Sequence, residues 1–235
     1  YQRPYYRLVF GESDRLPGLV VDRYGDLLVA QSATAGMDAL RPAIEAALAA
    51  AVGEHRLVWK NDSGARALEG LAQFVEAAAG AVPRDVTVHE GAATFTAPLT
   101  DGQKTGWFYD QAINRDRLLR YLPAGARVLD VCSYVGAWAV SALVAGASDA
   151  LCVDSSTQAL EYAERNAVAN SVRVRTRKAD AFDALRTLAA ERARFDVVIL
   201  DPPAFIKRRK DAPQGQAAYR KLNQQAMQVL ARDGF

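Results

Sequence analysis

Four aspartates are placed where they could serve one ligand: Asp130, Asp154, Asp180 and Asp201. Three of them close or follow short apolar runs, and Asp180 sits just past an alternating segment, 173–177, that reads as a further strand. If those runs are strands of one parallel sheet, the carboxyl groups gather at a single edge. Acids crowd together at a cost unless a donor-rich ligand uses them. An ammonium, a ribose diol and an adenine amino group are such donors, so an adenosyl ligand suits the set. The plainer alternative for each acid taken singly is a helix N-cap, a role aspartate also favours.

The segment Asp201-Pro202-Pro203-Ala204-Phe205 is sharper. Two prolines fix φ and supply no backbone N–H, which makes a stiff loop directly after a buried strand. Such a loop offers a carboxylate and bare carbonyls to an amino group or planar ring, and Phe205 could stack on it. The stretch from Asp130 to Gly136 holds Ser133 and Tyr134 and ends in a glycine that permits close backbone approach to a ligand. It is not GxGxxG, which is adverse for a nicotinamide-dependent oxidoreductase. An acid such as Asp154 suits a ribose diol in either class of enzyme.

These residues need elements that hold them. From Gly125 a strand–helix rhythm repeats four times: strands over 127–131, 150–154, 173–177 and 195–201, helices over 137–145, 156–169, 181–192 and 214–230. Ser156 is a good N-cap. The rhythm predicts an α/β fold with a doubly wound, Rossmann-like parallel sheet, whose right-handed crossovers put all strand C-termini at one edge. A small α+β domain precedes it: a hairpin of 19–22 and 27–30, an Ala-rich helix over 37–52 stopped by Gly53, and a strand over 57–60. A second hairpin pairs 86–89 with 93–96. The expected domains are 1–85, a connector and lid over 86–124, and 125–235.

Composition narrows the classes. Half of the 235 residues are hydrophobic, enough for a buried core, and the net charge is +2. That mild excess permits nucleic-acid binding without arguing for it; placement matters more. Lys207, Arg208, Arg209 and Lys210 follow the proline loop at once, where RNA phosphates would run, although a solvated charge run reads the same way. Arg173, Arg175, Arg177 and Lys178 form a second cluster. The two cysteines, Cys132 and Cys152, lie in apolar runs without zinc spacing, which fits a reducing cytoplasm. His55 and His89 are solitary, and no metal site is expected. No apolar run approaches the roughly 20 residues of a membrane span. The chain begins without Met and stops at a turn signal, so both ends read as cut from something longer.

The Asp-Pro-Pro segment after the fourth strand, with Asp130, Asp154 and Asp180, resembles the class I S-adenosylmethionine-dependent methyltransferases. The stretch from Gly102 to Gln111 with Asn114 and Arg115, the Ser-Tyr-Val-Gly turn at 133–136 and the 201–205 loop together resemble the bacterial 23S rRNA cytosine-5 methyltransferase family. This likeness covers nearly the whole chain. In that family an RNA-binding PUA domain precedes a small α+β domain and then the catalytic domain, so the PUA domain would be missing here.

The resemblance implies S-adenosylmethionine as cofactor and RNA, 23S rRNA, as partner, with a homodimer as family precedent. Asp130, Ser133, Tyr134 and Gly136 would wrap the methionine part. Asp154 would hold the ribose hydroxyls, with Ser155 beside it, while Asp180 and Ala181 would face the adenine. Residues 104–115 would form a wall or lid, with Gln111 and Arg115 touching the cofactor. Asp201, Pro202, Pro203 and Phe205 would face the methyl group and the target base. Cytosine C5 becomes nucleophilic only after a thiolate adds to C6. In the family that cysteine lies beyond the position of Phe235, and neither Cys132 nor Cys152 is expected to replace it. Two rivals remain: a guanine-N7 rRNA methyltransferase, which needs no thiol, and a non-catalytic RNA-binding protein on the same fold.

Overall fold

The computed structural model describes residues 3–206 and 208–235. Two compact units divide the chain: residues up to Glu90 with Thr96–Ala112, and Gly91–Phe95 with Ile113–Phe235.

The first unit is built on a five-stranded sheet: β1 (Tyr5–Phe10), β2 (Leu19–Tyr24), β3 (Leu27–Ser32), β4 (Arg56–Asn61) and β5 (Phe74–Ala77), in that spatial order. Only the β3–β4 pair is parallel. Its crossover carries α1 (Ala35–Ala39) and α2 (Arg41–Val52). The sequence predicts one helix here, but the chain breaks at Leu40. Pro42 explains the break: it has no N–H to bond the carbonyl four residues back, its ring crowds that carbonyl, and it belongs in a first turn, where it stands in α2. Gly53, at φ 78°, ends α2 as expected. Leu48 of α2 packs with Leu19, Val21, Leu28, Ala30, Leu57 and Trp59 into one core. A short helix, α3 (Ala65–Leu68), precedes β5.

Asp22 is fully buried in this sheet and forms a two-point pair with Arg7, at 2.8 and 3.0 Å. The Thr105 hydroxyl donates to the same carboxylate, and Tyr24 Oη lies 3.1 Å from Thr105 Oγ1. A buried carboxylate without such partners would be strongly destabilising. The network thereby ties the 102–106 turn to β1 and β2. Burial, with Asp22 nearby, also pushes the Tyr24 hydroxyl well above its ordinary pKa. The ribbon expected at 86–96 is present as β6 (Asp85–Glu90) and β7 (Ala93–Pro98).

The second unit holds α4 (Ala112–Tyr121, from Ile113 onward), β8 (Arg127–Val131), α5 (Ala137–Val144), β9 (Asp149–Asp154), α6 (Thr157–Ala169), β10 (Arg175–Lys178), α7 (Ala181–Ala190), β11 (Val197–Leu200) and α8 (Ala212–Met227). Its four strands are all parallel, in the order β10-β9-β8-β11. This is the doubly wound, Rossmann-like sheet the sequence predicts. The order reverses between β8 and β11, the switch point at which such sheets bind ligands.

Alternation along the strands assigns their faces. Leu129, Val131, Leu151 and Val153 pack on Leu185 and Leu188 of α7 and Leu222 and Ala226 of α8. Val128, Ala150, Cys152, Val197 and Ile199 pack on Ala139 and Ala142 of α5 and Leu160 and Ala163 of α6. Both faces are covered, which is why these strands read as continuous apolar runs. The fourth strand is shorter than expected: Phe195 pairs with Leu230 instead of extending β11. Among the described residues no helix is long and apolar enough to cross a membrane.

Candidate functional site

Asp130 lies one position before the end of β8, and alternation points its side chain to the Val128 face, toward α5. There its Oδ2 accepts the Ala139 amide at 3.2 Å. That amide is one of the donors a helix leaves unsatisfied in its first turn. Gly136, at the N-cap position of α5, has no side chain to serve them, so Asp130 acts in its place. Asp130 is fully buried, and its Oδ1 has no hydrogen-bond partner. Burial raises its pKa to about 7; Asp201 and Asp154 push the same way, while the Ala139 amide and Arg115 oppose. A buried acceptor left unmet costs about 1–3 kcal/mol. The site therefore asks for a donor at Oδ1, as an ammonium group would supply.

The loop after β8 is conformationally strained. Cys132, Tyr134 and Gly136 have φ of 64°, 48° and 76°. Left-handed backbone is uncommon outside glycine and persists only when its surroundings enforce it. Asp154 is one enforcer: its Oδ2 accepts the Tyr134 amide and its Oδ1 the Ser156 amide, both at 2.9 Å. The Cys132 and Ser133 amides reach Val153 O at 2.8 and 3.1 Å. Ser133 is buried and Ser155 exposed. Packing gives Gly136 a purpose that the sequence does not suggest. A Cβ there would stand 2.8 Å from Ala163 Cβ, so glycine is required by the packing of α6 as well as by φ.

Asp180 caps α7: its Oδ1 accepts the amides of Phe182 and Asp183. The cap reading and the ligand reading thus coexist, since Oδ2 is not used in the cap. Ala181 opens α7, half-buried against the α7–α8 core. Asp201 follows β11, its amide bonded to Val131 O at 3.2 Å. Its Oδ2 accepts the Trp138 indole N–H at 3.4 Å. The Arg115 guanidinium lies 5.7 Å from the Trp138 ring centre. Arg115 belongs to α4 and is buried, so it is a fixture of this unit more than part of a lid. All four acids bear on Cys132: burial first, then Asp154, Asp130, Asp201 and Asp180, raise its thiol to about 12. The carboxyl groups are therefore gathered at the C-terminal edge of the sheet.

Pro202 is half-buried, and Pro203 and Ala204 are exposed. The sequence offers Phe205 as a stacking surface. In the structure its ring has aromatic neighbours of its own, Tyr219 at 4.7 Å and Phe182 at 6.1 Å between centres. Trp138, Phe182 and Tyr219 escape sequence reading. Trp138 alone leaves a trace, an indole two residues past the glycine in an otherwise small-residue helix. Gln111 closes a 3-10 turn, Tyr109–Gln111, in the first unit. In the same unit Lys104 pairs with Asp110 at 2.9 Å and covers the Phe108 ring.

Of the basic segment, Lys207 lies outside the described residues. Arg208, Arg209 and Lys210 are exposed just before α8, with Arg208 Nε 3.3 Å from Asp211. In the second basic cluster Arg175 pairs with Asp149 and Arg177 with Glu191. Two of its four charges are matched in this way. Among the described residues no group of three or more His, Cys, Asp or Glu could hold a metal ion.

Comparison with known proteins decides the family. The sequence model of the family described as conserved hypothetical protein 95 matches residues 93–232, more than half of the chain. The chain belongs to this family. The match takes in every strand of the parallel sheet and all four acids. Among similar proteins, the ribosomal RNA large subunit methyltransferase I of Cronobacter sakazakii is 34% identical over 234 residues, 98% of this chain and 59% of that protein. The protein of the same name from Pseudoalteromonas atlantica is 35% identical over 233 residues, with the same coverage. This member of the conserved hypothetical protein 95 family thus spans about three-fifths of the length of those relatives. A solved structure described as a methyltransferase complexed with SAH superposes with a TM-score of 0.83 at 25% identity, covering 99% of this chain and 60% of that one.

Proposed function

We propose that this chain is the cofactor-binding and catalytic part of an S-adenosylmethionine-dependent methyltransferase acting on ribosomal RNA, and that its product is 5-methylcytosine in 23S rRNA. One observation carries the cofactor reading: the buried, unpartnered Oδ1 of Asp130, at the switch point of the parallel sheet, with Asp154 and Asp201 beside it. The names of the relatives and the SAH-bound neighbour support it.

S-adenosylmethionine supplies an electrophilic methyl group on its sulfonium. The residues of the chain do the rest. Asp130 receives the ammonium through Oδ1. Asp154 keeps its two backbone donors and uses its remaining lone pairs for the ribose hydroxyls, since a carboxylate has about four acceptor sites. Ser133, Tyr134, Gly136 and Ser155 shape the backbone around it, and Asp180 Oδ2 and Ala181 border the adenine. Asp201, held by Trp138, and Pro202 form the stiff wall on the methyl side, and Pro203 and Phe205 carry it toward the target base. Arg115 completes the cofactor's surroundings within the second unit.

Methylation at C5 requires a thiolate at C6. Cys152 is fully buried with its pKa pushed well up, and Cys132 stands near 12, so neither ionises near neutrality. The nucleophile of the proposal therefore comes from outside these 235 residues. Arg208, Arg209 and Lys210, with Lys207, would meet the RNA backbone. A cytoplasmic homodimer belongs to the same proposal.

The test is transfer of labelled methyl from S-adenosylmethionine to 23S rRNA by the full-length protein, followed by nucleoside analysis. Label in 5-methylcytosine is expected. Label at guanine N7 would move the assignment to the thiol-free rival, and no label in any RNA would remove the methyltransferase reading.

A further inference from the structure

Among the described residues, the 201–205 loop has few backbone fastenings. Pro202 and Pro203 have no N–H, so the loop is stiff inside and its position depends on how its ends are held. At one end the Asp201 amide donates to Val131 O at 3.2 Å. At the other the Phe205 amide donates to the hydroxyl of Tyr219 at 3.2 Å. The acceptor is a side chain on α8, and the Tyr219 ring lies 4.7 Å from that of Phe205.

One helical turn earlier, the same face of α8 carries Gly215, which is buried. A Cβ there would stand 3.1 Å from Phe205 O, 3.2 Å from Phe205 C and 2.3 Å from Ile206 Cγ1. The helix thus offers a hollow at Gly215 and an acceptor at Tyr219, and the exit of the proline loop is seated in both. Gly215 has ordinary helical φ, so close approach is the only structural demand that excludes a side chain there.

We propose that Tyr219 is a positioning residue for the 201–205 loop, acting with Gly215 to fix where α8 holds Phe205 and hence where Asp201 and Pro202 stand. The assignment rests on the methyltransferase reading and deepens it. Neither residue needs to touch cofactor or RNA. Their effect passes through the loop, and a displacement of about 1 Å near a reacting centre is enough to lower a rate up to 100-fold.

Tyr219→Phe in the full-length protein removes the hydroxyl and keeps the ring. Two readouts are taken: amide exchange by mass spectrometry, and methyl transfer to rRNA. Exchange is expected to accelerate on the order of 10-fold in the peptide spanning 201–206, while β8 and β9 stay as in the parent. In turnover, kcat is expected to fall on the order of 10-fold, with the KM for RNA and the affinity for SAH held within about twofold. Unchanged exchange at 201–206, or unchanged kcat, overturns the proposal. So does a fall in SAH affinity that matches the fall in kcat, since the effect would then lie at the cofactor and not at the loop. Gly215→Ala perturbs the same loop without touching the hydroxyl, and the same two readouts decide the matter if Tyr219→Phe lowers the melting temperature. If the parent protein transfers no methyl group, the methyltransferase reading fails. The exchange result then still reports, by itself, whether Tyr219 holds the loop.

Discussion

Asp130 is a carboxyl group whose protonation is set by what surrounds it. Burial raises its pKa to about 7, Asp201 and Asp154 add to that, and Ala139 N–H and Arg115 oppose it. In the unfolded chain it titrates near the ordinary 3.8. Between those values the folded state holds a proton that the unfolded state has released. Stability from this group is therefore full below about pH 4 and lost as pH rises toward 7. Urea titrations of Asp130→Asn should show a shallower decline across that window than the parent. Ligand binding runs the other way, because an ammonium needs the ionised carboxylate. SAH affinity should rise between about pH 6 and 8 in the parent, and Asp130→Asn should lower it about 10- to 100-fold at the upper end and flatten the rise. Calorimetry at several pH values checks both.

Asp154→Ala strands the Tyr134 amide of the strained loop and the Ser156 amide before α6, and should destabilise the protein by about 1–3 kcal/mol, read from denaturant unfolding. Asp130, Asp154 and Asp201 are legible in the sequence because each closes or follows an apolar strand. Trp138 is not, because nothing in its neighbours reveals that its N–H reaches Asp201 across 63 residues of chain.

At the scale of elements, the strands of the parallel sheet and the helices between them follow from apolar runs buried on both faces. The first unit is harder to read. β1 and β5 are edge strands with half-buried, mixed residues, so alternation gives little signal. Alanine periodicity runs on through Pro42 and hides the break that the proline imposes. Gly136 stands out in the sequence for an incomplete reason: the ligand side of the turn is legible, the helix behind it is not. Gly136→Ala should therefore cost about 1–3 kcal/mol of stability even without ligand, because Ala163 already occupies the space and φ is left-handed. A melting curve of the apo protein decides this. An unaltered midpoint would mean that α6 yields to the added methyl.

For the whole molecule, local pairing says more about RNA than net charge does. The excess of +2 is small, and two of the basic residues on β10, Arg175 and Arg177, are matched by Asp149 and Glu191. Arg208, Arg209 and Lys210 are exposed beside the proline loop. Replacing Arg208 and Arg209 by Ala should weaken RNA binding and reduce its log–log salt slope by about 0.7 for each phosphate no longer neutralised. Replacing Arg175 and Arg177 should leave the slope unchanged. Filter binding across a salt series separates the two clusters.

The claim on which the rest depends is that acids at the ends of separate strands receive one adenosyl ligand. A crystal structure of the full-length protein with SAH tests it most directly. The expected result is the amino group within hydrogen-bond distance of Asp130 Oδ1, the ribose at Asp154 and the adenine beside Asp180. SAH bound away from all three, or failing to bind in saturating titration, would contradict it.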